Sequence, residues 1–280
     1  MGELAVPVLA WATAEGDVSD EHRALFGRKF RRIGRFVKLA QVCAARCAAQ
    51  QPNLDLSTAG LFIGTGLGNT ADIVPLAEGI LHPSRPRCSP MSFAGCLGNA
   101  ASFFVARSVG CLGPNVTTSQ EELSFETALH EAVLALHAGV VQLALVGGVD
   151  VISGSDDQQR RRMNAADMPG RVTEGAAFLL LAASGEAPAW LDECWLGAAS
   201  PSEVLAAVPS RSRVFPGWRL VGKAVAHPGA VEPVEDRLLP VASGLRVVEA
   251  LEAGHPQVVH LQRSATGGWG RLQLRRGARV

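Results

Sequence analysis

The sequence predicts an α/β fold, and three features carry that prediction. Short, wholly apolar runs, Leu61–Ile63 within GLFIG and the VQLALVGGVD stretch, read as strands buried on both faces. Between such runs lie segments whose apolar residues recur at helical spacing. Thirty glycines, abundant alanine and no tyrosine suit helices packed closely on a sheet. Strands that alternate with helices and have fully apolar cores predict largely parallel pairing.

In order, the segment 30–50 (FRRIGRFVKLAQVCAARCAAQ) reads as a helix, with Ile33, Phe36, Val37, Ala40, Ala44 and Ala48 on one side and Arg31, Arg32, Arg35 and Lys38 on the other. LDLSTAGLFIGTGLGN is a strand running into a glycine-rich turn. After a proline-rich loop, a helix is expected from Phe93 to about Val109, packed through small residues. Val116–Ser119 is a short β-branched strand, and about Ser124 to Ala138 is a strong helix before the LALVGG strand. GSDDQQRRRMNAADMPGR reads as a charged loop, and EGAAFLLLAAS as another strand. From Pro188 to about Pro228 the pattern thins; LLPVASGLRVVEALEAG then reads as a helix, and 258–276 as a hairpin around Gly267-Gly268.

The chain has 280 residues, enough for a sizeable core as one large domain or two fused halves. Its 26 basic and 26 acidic residues cancel, which argues against a nucleic-acid partner. No run of about 18 uncharged apolar residues exists, so no membrane span is expected. The N-terminal stretch lacks the basic region of a signal peptide. Six cysteines show no CxxC pair and no zinc-like spacing with histidine, so they read as buried, reduced thiols in a cytoplasmic protein, with no metal and no cofactor.

Several motifs admit a plain reading. GTGLGN (64–69) places its third glycine too early for a dinucleotide fingerprint and reads as a tight turn where backbone passes close. The cluster Arg28, Lys29, Arg31, Arg32, Arg35, Lys38 reads as a solvated helix face, with an acidic docking partner as the alternative; Arg160–Arg162 read the same way. His130 and His137 share one helix face as core or interface histidines. Two adjacent acids, Glu121 and Glu122, occupy the turn between the Val116 strand and the Ser124 helix.

The motifs RRIGRFVKLA, GLFIGTGLGN, SPMSFAGCLGNAASFFVARSVGCLGPN, ALHEAVLALHAGVVQLALVGGVD and EGAAFLLL follow one another in the order found in β-ketoacyl synthases. The chain resembles that thiolase-fold family over about 30–185, and more weakly over 237–277. The resemblance implies a single thiolase-like domain over 1–280, with a preserved first half (1–187) and a truncated second half (188–280). It implies a nucleophilic cysteine at a helix N-terminus, where the thiol's pKa is lowered, and two histidines from the second half. Counting along the family pattern from Gly113-Pro114, or back from Gly147-Gly148, the cysteine position falls on Glu122, which cannot form a thioester. Cys111 precedes the strand and belongs to its other end. Leu238 falls on one histidine position, no HGTGT-like element stands between 190 and 236, and His227 has no counterpart in the family.

No catalytic residue is therefore expected. The resemblance implies a partner of chain-length-factor type, pairing with an active ketosynthase, or with itself, through the first half, with an acyl carrier protein as a further partner. Gln120, Glu121, Glu122, Phe125, Phe103, Phe104 and His130 are the expected pocket or interface residues; Arg28, Lys29, Arg31, Arg32 and Arg35 are the expected carrier-protein contact. The alternatives are a malonyl-carrier-protein decarboxylase or acyl hydrolase using Glu122 as base, and a structural homodimer that binds acyl groups.

Overall fold

The structure, a computed structural model, describes residues 5–30, 33–220, 227–233 and 235–277. A strand that the sequence pattern does not announce joins the two parts of its main sheet. In β1 (Val6–Glu15) the buried positions 10, 12 and 14 are all alanine, so the alternation that marks a strand is too faint in hydropathy to read. α1 (Ser19–Phe26) carries Asp20 and Glu21 in its first turn, where carboxylates meet the positive end of the helix. α2 (Arg35–Ala48) begins five residues later than the periodicity predicts. Gly34 caps it in an extended conformation, and the Asp72 carboxylate sits 2.4 Å from where a Cβ would be.

β2 (Gly60–Gly64) and α3 (Thr70–Ile80) follow. The helix expected from Phe93 is two helices, α4 (Pro90–Gly95) and α5 (Ala100–Val109), and α5 ends at Gly110 with φ 82°. β3 (Asn115–Thr118), a 3-10 turn at Glu121–Leu123, α6 (Ser124–His137) and β4 (Leu143–Asp150) lie where the pattern puts a strand, a turn, a helix and a strand. The charged loop contains α7 (Asp156–Arg162), started by a capping box in which Ser155 and Gln158 each bond the other's backbone N–H.

β5 (Arg171–Val172) and β6 (Gly175–Ala182) come next. The stretch with a thin pattern holds β7 (Ala189–Gly197), α8 (Pro201–Ala206) and β8 (Arg213–Pro216). β9 (Arg237–Leu238) and α9 (Ala242–Glu252) precede the expected hairpin, β10 (Gln257–Arg263) and β11 (Trp269–Arg276).

The main sheet runs β3-β2-β4-β6-β1-β7-β11-β10-β8. Its pairing corrects the expectation of a largely parallel sheet. β3–β2, β2–β4 and β10–β8 are parallel, whereas the five pairs from β4–β6 through β11–β10 are antiparallel. Burial on both faces makes a strand apolar whichever way it points, so hydropathy does not report direction. β1 divides its length: Val8–Glu15 pairs with β6, and Val6–Val8 pairs with β7.

One face of β2, β4 and β6 carries α2 and α5, with Phe36, Leu39 and Cys43 packed on Ile63, Leu145 and Phe178. The other carries α6 and α9, with Phe125, Leu129 and Leu245 packed on Phe62, Val146 and Leu179. Leu191, Leu272 and Leu274, from β7 and β11, belong to the same core. α6 and α9 are thus held between the two parts of the sheet. The opposite face of β7 and β11 bears cation–aromatic stacks, Arg271 on Trp195 (5.2 Å) and Arg275 on Trp190 (4.9 Å). Ion pairs from Arg271 to Glu193 and Arg275 to Asp192 complete that face. On the same face Val204 of α8 packs with Trp195, Trp269, Val259 and Leu261, so the shortened second half finishes this surface with a short helix beside the arginine–ring stacks.

Candidate functional site

The turn before α6 is built around close backbone approaches. A Cβ on Gly64 would lie 2.1 Å from the Ser124 carbonyl oxygen, and one on Gly66 would lie 2.7 Å from the Glu121 oxygen and 2.3 Å from Pro240. The glycine-rich turn after β2 is therefore a packing device. It is held by Asp150, at the end of β4, which is fully buried and accepts bonds from Thr65 Oγ1 (2.7 Å), Leu67 N (2.9 Å) and Gly66 N (3.2 Å). Burial pushes the Asp150 carboxyl up to about 7, against the pull of these hydrogen bonds.

On the other side of this approach the chain leaves β3 and turns at Glu121, whose φ of 49° is unusual for a residue with a Cβ. Ser124 Oγ donates to the Glu121 carbonyl (2.6 Å) and accepts from Gln120 N (2.9 Å), which fixes the turn. Gln120 and Glu121 then face solvent, while Glu122 points inward and is 2% exposed. The buried carboxylate is met by Arg219. Its Nε donates to Oε1 at 2.8 Å, and its Nη2 also contacts Oε1. The Ala265 amide donates to Oε2 at 3.1 Å. Arg219 is itself fixed by the carbonyls of Asn164 (3.2 Å) and Met163, and stacks on Trp218 at 4.6 Å. A buried acid is thus met by a guanidinium and an amide that both come from the second half.

The family model for the β-ketoacyl synthase N-terminal domain matches residues 9–178, more than half of the chain. The chain belongs to the β-ketoacyl synthase family. Among curated relatives, the 3-oxoacyl-[acyl-carrier-protein] synthase 2 of Synechocystis is 27% identical over 142 residues, covering 48% of this chain and 34% of that protein. The polyketide synthase GfsB of Streptomyces halstedii is 42% identical over 94 residues, 31% of this chain and 2% of that much longer protein. The chain therefore spans about a third or less of the curated relatives it matches. A solved ishigamide ketosynthase/chain length factor superposes with TM-score 0.77 at 15% identity, covering 98% of this chain and 99% of that one. A β-ketoacyl synthase from Burkholderia phymatum gives 0.74 at 13%, with the same coverage. Likeness at this identity establishes the thiolase-like fold.

Within this β-ketoacyl synthase frame, the residues expected to line the pocket or interface separate onto two faces of the sheet. Phe125 is fully buried between the glycines of two elements; a Cβ on Gly148 would lie 3.3 Å from its ring, and one on Gly244 2.9 Å. Phe103 and Phe104 lie across the sheet, on α5, and line a cavity of about 830 Å³ with Val37, Leu76, Leu97 and Asp72. His130 lies on the α6 side, its Nδ1 3.3 Å from the Cys194 carbonyl of β7. The grouping of Phe103 and Phe104 with Glu122, Phe125 and His130 is corrected for this reason: α5 and α6 cover opposite faces of β2.

Leu238 is buried in the two-stranded β5–β9 sheet, paired with Val172, and His227 accepts from Gly229 N and faces the Val208 carbonyl. Cys111 is buried before β3, and burial pushes its thiol up to about 11. The expectation of buried thiols fails at Cys88, which is exposed in the loop before α4. Arg28 and Lys29 are exposed, whereas Arg35 is tied to the Ile152 carbonyl (2.8 Å) and to Glu174 (3.2 Å). Arg31 and Arg32 lie outside the described residues. Among the described residues, no cluster of His, Cys, Asp and Glu could hold a metal ion, and no helix is long and apolar enough to cross a membrane.

Sequence reasoning missed Arg219, Ala265 and Asp150. Asp150 closes the quoted LVGGVD motif, and an acid ending an apolar strand was the available signal. Arg219 stands in the region of thin pattern and carries no local mark.

Proposed function

We propose that this chain is a non-catalytic β-ketoacyl synthase-family subunit of chain-length-factor type, acting beside an active ketosynthase in the building of an acyl or polyketide chain. The observation that carries the reading is Glu122. At the position where the family pattern has its cysteine stands a buried acid with both oxygens already accepting hydrogen bonds, one from a guanidinium and one from an amide. Neither a thioester nor proton abstraction is served by a carboxylate so engaged. The decarboxylase and hydrolase alternatives are disfavoured on the same ground.

Pairing is supported by β3, which ends the sheet and, among the described residues, pairs with β2 alone. Apolar side chains stand exposed nearby in sequence, with Phe103 50%, Phe93 57% and Leu112 85% exposed. An unpaired edge together with exposed apolar side chains suits a protein partner. The cavity lined by Phe103 and Phe104 would then help to shape the space for the growing chain.

The test is co-expression with a ketosynthase encoded beside this chain, followed by native mass measurement and an acyl-transfer assay. A one-to-one complex, in which synthase activity survives Glu122→Gln, is expected. A stable homodimer that ignores the synthase would sink the reading, as would turnover of malonyl-carrier protein by this chain that Glu122→Gln abolishes.

A further inference from the structure

The cavity beside α5 holds a charge that its apolar walls do not account for. Val37, Leu76, Leu97, Phe103 and Phe104 supply much of the lining. Its volume, about 830 Å³, lies in the range of sites that enclose a small molecule. Asp72, in the first turn of α3, lines it too. An acid there suits a helix N-terminus, and on an open surface nothing more would follow from it. This one is half-buried, and Gly34 and Gly95 leave the room it occupies. A Cβ on Gly34 would collide with the carboxylate, and one on Gly95 would lie 3.9 Å from Oδ2.

The carboxylate is held in place by a wholly buried side chain. Asn69 Nδ2 donates to Asp72 Oδ2 (2.8 Å) and to the Gly95 carbonyl (2.6 Å), both in the cavity wall. Among the described residues Asp72 Oδ1 and Asn69 Oδ1 have no hydrogen-bond partner. A carboxylate accepts about four hydrogen bonds, so most of this one's capacity is open. Arg87, exposed and without an ion pair among the described residues, lines the same cavity. A plain hydrocarbon chain entering here would strip water from Asp72 and leave its charge uncompensated. A hydroxyl on the chain would donate to the free oxygen instead. An ammonium would also donate, but it would bring a second cation into the space that Arg87 lines.

We propose that Asp72 makes this cavity selective for an acyl chain that carries a hydroxyl group over the same chain without one, with Arg87 receiving the carboxylate or carbonyl end. The proposal rests on the reading of the cavity as space for a chain and adds which chain it takes. A polar group fixed in an apolar site discriminates in this way because the ligand that lacks the matching donor leaves it unpaired. A hydrogen bond to a charged acceptor corresponds to about tenfold to a hundredfold in affinity.

The test is calorimetric titration of the full chain with 8-hydroxyoctanoate and 10-hydroxydecanoate, each beside its unsubstituted parent acid, and with 10-aminodecanoate. At one or both lengths the hydroxylated probe should bind wild type at least about tenfold more tightly than its parent. Asp72→Leu should abolish that preference and bind the plain acids as well as wild type or better. Asp72→Asn, whose amide oxygen still accepts but carries no charge, should keep a preference of only a few fold, and it decides where Asp72→Leu fails to fold. Equal binding of hydroxylated and plain acids by wild type at both lengths, or no binding of any probe, would overturn the proposal. So would a preference that the variants leave intact, or tighter binding of the amine than of the alcohol. None of these results bears on pairing with a ketosynthase, which the mass of the co-expressed complex reports separately.

Discussion

Arg219 and Glu122 stand 97 positions apart, yet their contact decides what the turn before α6 can do. A buried ion pair adds little net stability over apolar side chains of similar size, but removing one partner strands the other. Arg219→Ala should therefore cost about 3–5 kcal/mol in chemical denaturation, and Arg219→Ala combined with Glu122→Gln distinctly less. Asp150 supplies a prediction with a sign. Its folded value, about 7, lies above the ordinary carboxylate value of 3.8. The folded state thus holds a proton that the unfolded chain releases, and the stability this brings is present below about pH 4 and lost as pH rises towards 7. Wild type should lose ground to Asp150→Asn across that interval, by at most about 1.4 kcal/mol per pH unit, measured as the difference between two denaturation series.

At the scale of elements, β3 is the strand whose outer edge matters. Leu61 N donates to the Pro114 carbonyl, and Thr65 N donates to that of Thr118, so the even-numbered positions of β3 face β2. Asn115 and Thr117 therefore turn their backbone groups outward. Thr117→Pro removes an outward N–H without touching the β2 ladder, though it forfeits the 2.9 Å bond from Thr117 Oγ1 to Ser102. Such a variant should stay folded, with a loss of about 1 kcal/mol, while losing association with the proposed ketosynthase partner in size-exclusion chromatography. Association unchanged in Thr117→Pro would place the interface elsewhere.

For the whole molecule, the sheet is the organising fact. β1 reaches across from β6 to β7 and makes one sheet of what the motif order divides into a well-marked first half and a faint second one. Between its parts, α6 and α9 are covered on both sides, which is why Phe125, Leu129 and Leu245 are fully buried. The second half, though short, supplies Arg219 and Ala265, the groups that meet Glu122 just before α6. Its other surface is closed by arginines stacked on Trp190 and Trp195 and by Val204 of α8 packed beside Trp195 and Trp269.

The sequence by itself determined the fold class and the order of strand, turn, helix and strand from Asn115 to Asp150, because each depends on neighbours within one helical turn or one strand repeat. Hydropathy also marked α9 and the closing hairpin. The family followed from motifs in one order, and the acid at position 122 was legible as a departure from it. Tertiary structure decided the direction of the pairing, the place of β1, the separation of Phe103 from Phe125 by the sheet, and the partners of Glu122. Those partners arrive from 97 and 143 positions away in the chain. Local periodicity carries no record of such a contact; it exists only once burial has removed water from both charges and left each as the other's nearest compensation.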